Sequence, residues 1–495
     1  MEKLKVLWRD FDRKTVKIPK LVIVLAFLVL ILRLPSLFEP CWYGDEGIYL
    51  TLGQGMRRGQ MLYRDLHDNK PPLLYLLAAV AGNVFWFRFI LLLWMLATVW
   101  LFFKLAEEIF PKKKWLQSLL TVAFVILTSI PTLEGNIANA EIFFIGLIIA
   151  GFLAFLKKKH FWAGFLLGLS FLFKSPPLFD FGALLIFSLL TAFNQKDLKN
   201  SLKKVILPMA GGFLLPLFTT IIYYSSKGNL IYYIKSAFLL NLPYLSSWGS
   251  SQKSILINGL FPRGLILLVF LVLTFWQRKK LLRQPVILLV SLWLLLALFG
   301  ALLSGRPYPH YLIQILAPFL ILSGAMIVNL SFLIEEKRLF VLFLPIFLVP
   351  LAFRVYNFYT YRVLDYYQNF AEFTLGKKNQ DEYYRWFDGR VAANYQLARF
   401  IRDTVPENER IFIWGNEPCV YALSRHLPVG RYAVAYHIID FDGYEETMEA
   451  IKKNRPLLII FAPFDRFFLD LNSFLEAGYL RVETVNKAQI WYRKQ

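Results

Sequence analysis

Stretches of roughly 18 or more apolar residues, the length a helix needs to cross the hydrocarbon core of a bilayer, recur from Leu21 to about residue 358. Burying so many such runs in a water-soluble core is not an option for a chain of 495 residues, and the lipid solves the problem by serving as solvent. Composition agrees: 57% of residues are hydrophobic and only 18% are charged, against about 25% charged in a soluble domain. The 47 phenylalanines suit a lipid-facing surface. The expected fold is therefore a multispan α-helical membrane protein, with candidate spans at 21–38, 88–110, 115–132, 140–156, 160–175, 178–193, 204–225, 263–277, 285–303, 311–330 and 338–358.

The formal net charge of +21 invites a nucleic-acid reading. Lys and Arg collect in the cytoplasmic loops of multispan proteins, however, and the basic clusters here fall where that rule puts them. Lys3, Lys5, Arg9, Arg13, Lys14, Lys17 and Lys20 place the N-terminus inside. Alternation across eleven spans then puts Lys112-Lys113-Lys114, Lys157-Lys158-Lys159, the Asn194–Lys204 loop, Arg278-Lys279-Lys280 and Lys337-Arg338 inside as well, and the C-terminus outside. Nucleic acid is excluded as a partner on this ground, and membrane lipid is the expected surrounding. The assignment requires Pro71–Val84, an apolar stretch of about 14 residues where a span needs about 20, to lie in the outer interface. The N-terminal apolar run is read as a span, not a cleavable signal, because no small-residue cleavage site follows Leu21–Leu32.

Two regions follow. Residues 1–358 form the transmembrane part, including an external first loop at 39–87 with interfacial helices. The other external segments are Thr132–Asn139, Ser226–Pro262 and Ser304–His310. Residues 359–495 form an external, periplasmic-type soluble domain. There Arg390–Thr404, Glu445–Asn454 and Asp470–Ala477 read as helices. Arg410–Trp414 and Pro456–Phe461 read as buried strands, and Leu480–Val485 with Ala488–Arg493 as a closing hairpin turned at Asn486-Lys487. Alternating strands and helices predict a small α/β domain. It carries no phosphate loop, nucleophile elbow or metal cluster, so a lid or acceptor-docking role is expected of it. Cys41 and Cys419 both fall outside. A bridge between them fits that placement, but two buried free thiols are the expectation.

Polar residues gather on the outer face of this topology. Asp45, Glu46, Tyr49, His67, Asp68 and Lys70 lie in the first loop, Glu134 and Glu141 flank the second, Lys174 ends the fifth span, and Arg306, Tyr308, His310 and Tyr311 open the tenth. Charges beside a bilayer are costly and are usually kept for work. Each has a plainer reading too. Glu141 suits a helix N-terminus, Lys174 could snorkel, His310 could be a plain interfacial histidine, and Arg33 and Arg88 near span ends are read as snorkelling or paired. Asp45 in Cys41-Trp42-Tyr43-Gly44-Asp45-Glu46 has no evident packing purpose and is the strongest candidate.

At these residues the chain resembles the C-type (GT-C) membrane glycosyltransferases, especially bacterial relatives of the protein O-mannosyltransferases and the lipid A aminoarabinose transferase. The resemblance covers nearly the whole chain. It rests on Asp45-Glu46 with Tyr49, on Asn69-Lys70-Pro71-Pro72-Leu73, and on Gly164, Gly168, Leu169, Leu172 and Lys174. His310-Tyr311-Leu312 with Pro318, and the tail motifs Asp388-Gly389-Arg390 and Ile413-Trp414-Gly415-Asn416-Glu417-Pro418, complete it. Two features depart: Asn69 stands where the aminoarabinose transferase has Glu, and the extra soluble modules of the protein O-mannosyltransferases are missing.

The resemblance implies an inverting glycosyltransferase that takes a sugar from a polyprenyl-phosphate donor and delivers it to an acceptor hydroxyl at the outer face. The acceptor is left open among lipid, glycan and protein. Asp45 would be the general base and Glu46 would orient the acceptor or Asp45. Lys70 and Lys174 would hold the phosphate, and His310 and Tyr311 would add hydrogen bonds. Tyr49, Glu141, Arg306 and Tyr308 are further substrate-binding candidates. No cofactor is called for. A divalent cation is compatible with the loop, but no ligand set requires one. The alternatives are a transporter or flippase for lipid-linked glycans, whose paired halves with broken helices are not seen in the sequence, and a glycan polymerase or ligase.

Overall fold

The structure, a computed structural model, describes residues 20–242, 245, 259–329, 337–485 and 487–494. The basic residues of the N-terminal tail before Lys20, residues 243, 244 and 246–258 of the Ser226–Pro262 loop and Asn486 of the hairpin turn lie outside the described residues.

Among the described residues, seven helices are long and apolar enough to cross a membrane. They are α1 (Lys20–Leu37), α4 (Val84–Ile109), α8 (Pro177–Gln195), α9 (Leu198–Ser226), α11 (Leu260–Leu281), α13 (Pro309–Val328) and α14 (Leu339–Tyr356). Four shorter apolar helices interleave with them: α5 (Lys114–Ser129), α6 (Ala140–Leu156), α7 (His160–Phe171) and α12 (Pro285–Ala301). Each coincides with an expected span, so this is a membrane protein. The stretch after Pro71 forms α3 (Leu73–Ala81), a nine-residue helix far too short to span.

The long first loop is more ordered than its glycines suggest. Gly44–Arg57 folds as helix α2, with Asp45 and Glu46 in its first turn, where carboxylates complement the positive end of the helix dipole. A further short helix, α10 (Leu230–Ala237), precedes α11. Close helix contact is written into small residues. A Cβ on Gly164 would stand 1.8 Å from the Met209 carbonyl oxygen, and one on Gly212 would stand 2.0 Å from that of Phe161. Thus α7 and α9 touch backbone to backbone, as small-residue spacings allow in membranes.

The C-terminal part starts with α15 (Val363–Thr374), α16 (Gln380–Phe387) and α17 (Val391–Thr404). It continues with β1 (Phe412–Trp414), α18 (Pro418–Ser424), α19 (Ala435–Asp440), α20 (Tyr444–Asn454) and β2 (Leu458–Phe461). The last elements are α21 (Leu469–Gly478), β3 (Tyr479–Val485) and β4 (Ala488–Arg493). The sheet order is β1-β2-β4-β3. Strands β1 and β2 are parallel, and the other neighbours are antiparallel. The strand–helix alternation is as the sequence predicts. Helices α15, α16, α18 and α19 were not anticipated; the last three have eight residues or fewer, and amphipathic periodicity needs more than two turns to stand out.

This part is fastened to the membrane helices through α2. Thr51 Oγ1 donates to the Pro418 carbonyl at 3.2 Å, and Gln54 Nε2 to that of Ala422 at 2.7 Å. Gly47 permits the approach, since a Cβ there would meet Cys419 N at 2.7 Å. Cys41 and Cys419 are joined in a disulfide with Cα atoms 5.8 Å apart. This corrects the expectation of free thiols: residues 378 apart in sequence are brought together by the packing of α2 on α18, which no local pattern announces. The chain holds two cysteines only. Purified protein denatured without reductant should therefore take up no maleimide–polyethylene glycol and, after reduction, should take up two equivalents. Labelling before reduction would refute the bridge.

Candidate active site

The 3.6-residue turn of α2 decides what Asp45 and Glu46 can do, because neighbours on a helix point about 100° apart. Glu46 turns inward. Its side chain is fully buried and receives Arg88 Nη2 at 2.5 Å, Arg88 Nε at 3.0 Å and the Ala138 backbone N–H at 2.9 Å. Glu39 lies 3.3 Å from the same guanidinium and accepts from Trp42, Asn136 and Tyr366. The expected role of Glu46 in orienting the acceptor thus does not match its place: its carboxylate is used up in this network, and it does not border the cavity described next. Arg88 is paired, as expected.

Asp45 points the other way, with about a third of its side chain exposed, into a cavity of about 850 Å³. Tyr49, one turn along α2, donates its hydroxyl to Asp45 Oδ2 at 3.0 Å. Lys70 Nζ stands 3.8 Å from Asp45 Oδ2 and 3.6 Å from Asp68 Oδ2, with the Tyr49 ring 5.1 Å below it. The Lys70 backbone is pinned, its carbonyl accepting from Tyr63 Oη at 2.8 Å and its N–H donating to Tyr75 Oη at 3.2 Å. Burial works to raise the Asp68 carboxyl, but Lys70 beside it prevails and holds it below its ordinary value. Burial pushes the His437 imidazole, 3.7 Å from Asp68, below its ordinary value.

The same cavity is bordered by Lys174, Glu141, Arg306, Tyr308, His310 and Tyr311. Lys174 lies in the turn between α7 and α8, ahead of Pro176-Pro177. Its ammonium reaches Glu141 Oε1 at 2.5 Å and sits 4.1 Å over the Tyr311 ring. It neither snorkels nor faces lipid; it is held to the cavity wall. Glu134 sits at φ 55°, in the left-handed region that non-glycine residues seldom occupy. There it accepts from Tyr43 Oη at 2.9 Å and pairs with His310 Nδ1. Of the candidates, Asp45, Lys70, Lys174, His310, Tyr311, Glu141, Arg306 and Tyr308 border one cavity, and Tyr49 reaches it through Asp45.

Several lining residues escaped the sequence reading. The C-terminal part contributes Asn416, Tyr436, His437 and Asp440, from α19 and from the loop before α18, and so closes one side of the cavity. Tyr43 was passed over beside the acidic pair. Gln314 on the wall is tethered by Asp180 Oδ2 at 2.6 Å, and Asp180 also accepts from Trp293 Nε1 at 2.7 Å. Asp180 had a usable signal, being a carboxylate inside an apolar run.

The division of labour on α2 is testable by unfolding. Glu46→Gln leaves a buried guanidinium short of a partner and should cost about 3–5 kcal/mol, read as a lower thermal midpoint in detergent. Asp45→Asn should unfold with the wild type. Equal midpoints for all three proteins would refute the structural assignment of Glu46.

No protein-family model and no curated protein matches the chain. Solved structures do. The apo form of ArnT from Cupriavidus metallidurans aligns with a TM-score of 0.57 over 95% of this chain and 97% of that one, at 14% identity. ArnT bound to undecaprenyl phosphate aligns at 0.53 over 95% and 96%, at 13% identity. The archaeal oligosaccharyltransferase AglB from Archaeoglobus fulgidus, in complex with an inhibitory peptide and a dolichol-phosphate, gives 0.48 over 89% of this chain and 69% of that one, at 11% identity. With nearly the whole of both chains aligned to ArnT, this protein has the GT-C fold.

Proposed function

We propose that the protein is a glycosyltransferase that moves a sugar from a polyprenyl-phosphate donor to an acceptor hydroxyl at the external face of the cell membrane. The observation that carries this reading is the placement of Asp45 beside Lys70 in one cavity with Lys174, in a chain with the fold of an enzyme solved with undecaprenyl phosphate bound.

The chemistry follows from those groups. Lys70 and Lys174 bind the lipid phosphate as point charges, displacing part of their present pairing with Asp68 and Glu141. Arg306 and Tyr311 border the same space and serve the phosphate or the sugar, with Tyr308 beside them. The acceptor hydroxyl attacks the anomeric carbon from the face opposite the phosphate, and its proton passes to Asp45. The new C–O bond forms as the bond to phosphate breaks, so the configuration inverts. The lipid phosphate departs as a stable anion. One base therefore suffices, and the ammonium groups offset the charge that grows on the leaving oxygen. Tyr49 holds Asp45 in the rotamer that faces the cavity, and Glu134 holds His310. Residues 359–495 act as a domain that covers the site and helps define the acceptor.

The Cys41–Cys419 bridge supports an external site, since disulfides persist in oxidising compartments. Reporter fusions after Lys114, Lys159, Lys204 and Lys280 should accordingly report cytoplasm, and a C-terminal fusion the outside. A cytoplasmic C-terminus would overturn the sidedness.

Transfer itself is tested with purified protein and undecaprenyl-phosphate sugars, the acceptor being found by comparing surface glycans, glycolipids and secreted proteins of cells with and without the protein. Asp45→Asn should keep the affinity for undecaprenyl phosphate and lower turnover about 10²–10⁴-fold. Lys70→Ala or Lys174→Ala should weaken that affinity by about 1.5–3 kcal/mol each, and the two losses should not add, because both cations meet one ligand. Turnover of Asp45→Asn within a few-fold of wild type would remove Asp45 as the base.

A further inference from the structure

A second cavity, of about 330 Å³, lies on the far side of the Tyr43–Glu134–His310 wall. The chain crosses from one cavity to the other within two residues, Trp42 lining the second and Tyr43 the first. Its walls come from distant parts of the sequence. Trp42 precedes α2, Glu134 and Asn136 precede α6, Tyr361 precedes α15, and Trp386 and Phe387 end α16. Glu134 belongs to both sites, since the residue lines this cavity while its carboxylate bonds to Tyr43 and His310 of the other.

The lining has two kinds of chemistry. Trp42, Tyr361, Trp386 and Phe387 offer flat aromatic faces, and Trp42 packs 5.8 Å from the ring of Phe387 and 6.0 Å from that of Tyr361. Glu134, Asn136 and the Arg362–Asp365 ion pair add polar groups, and Asn136 Oδ1 has no hydrogen-bond partner among the described residues. Trp386 is 37% exposed, an aromatic surface left open at the cavity. Flat apolar faces with a few fixed polar groups suit a ligand that has an apolar face and a rim of hydroxyls. A pyranose ring is such a ligand: its axial C–H bonds lie against aromatic rings and its hydroxyls bond to carboxylate and amide. A lipid tail would leave the Asn136 amide oxygen, which has no hydrogen-bond partner among the described residues, unanswered, and burying unpaired polar groups is costly. The volume is in the lower part of the range of small-molecule sites, which fits one sugar unit and not a long glycan.

We infer that this cavity is a saccharide subsite that holds a non-reacting sugar of the acceptor, so that the acceptor is a glycan or glycolipid and not an unmodified peptide. The inference rests on the transferase reading for its place in a reaction, but not for the binding itself. A sugar seated there lies one side-chain wall from Asp45, and the shared Glu134 links its hydroxyls to His310 of the catalytic cavity.

The test is saturation-transfer NMR on the full-length protein in phospholipid nanodiscs free of sugar-headed detergent. The probes are methyl α-mannopyranoside, methyl β-glucopyranoside, methyl β-galactopyranoside and methyl N-acetyl-β-glucosaminide. At least one should receive saturation, and Trp386→Ala should weaken its binding about tenfold, as expected for one aromatic anchor. Trp386→Phe, which keeps an aromatic face, should restore most of it. Undecaprenyl phosphate binding should be unchanged in both variants, which also shows that they are folded. A signal insensitive to Trp386 but lost in Lys70→Ala would place the sugar in the first cavity and overturn the subsite, as would no signal from any glycoside. Trp386-dependent binding in a protein that transfers nothing from a lipid donor would uphold the subsite and overturn the transferase reading.

Discussion

The ion pair between Glu46 and Arg88 sets the orientation of everything near the site. A guanidinium buried at the end of a membrane helix has no water to turn to, so it takes what carboxylates it can reach. Glu46 and Glu39 supply them, and Tyr366, Asn136 and Trp42 tie down Glu39 in turn. Helix α2 is thereby fixed in rotation about its own axis. One residue earlier, Asp45 is left facing the opposite sector, into the cavity, with Tyr49 beneath it. The acidic pair is thus one structural carboxylate and one with room to act. The disulfide and the Gly47 contact hold the same helix to α18, so the base of the proposed reaction stands on a support braced from two sides.

Much of the fold was legible because the bilayer allows so few solutions. Backbone groups in lipid must be satisfied within a helix, so apolar runs become helices, and basic loops fix their alternation. That the stretch after Pro71 does not span was readable from its length together with the charge of the loops. The C-terminal strands and three of its helices were readable from their periodicity. What could not be read was the partnership of residues far apart. Nothing local says that Glu46 faces Arg88, that Glu134 meets His310, or that Cys41 meets Cys419; these depend on how helices are rotated and stacked. Interfacial helices were expected in the first loop, but the bounds of α2 were not readable for a related reason: Gly47 and Gly53, which resemble loop residues in the sequence, serve close packing of α2 on Cys419 and on Ala79.

The candidate site shows the same division. Asp45, Lys70, Lys174 and His310 were found because charge beside a membrane is conspicuous. Tyr43, Asn416, Tyr436 and Asp440 were not, because ordinary polar residues in external segments carry no such signal. The C-terminal part furnishes one side of the cavity. A transporter would need its charges strung along a path through the bilayer. The cluster assembled here lies at the junction of the helix ends with the C-terminal part, the arrangement suited to chemistry at one face.

The central claim is that Lys70 and Lys174 clamp one phosphate in front of Asp45. The position of the phosphorus atom in a cryo-electron-microscopy structure of the complex with undecaprenyl phosphate tests it most directly. The account predicts phosphate oxygens within about 4 Å of both ammonium groups, the ordinary ion-pair limit, with Asp45 facing the ester oxygen that would carry the sugar. A phosphate that meets neither lysine, or one bound at the opposite ends of the helices near Lys112 and Lys157, would contradict it.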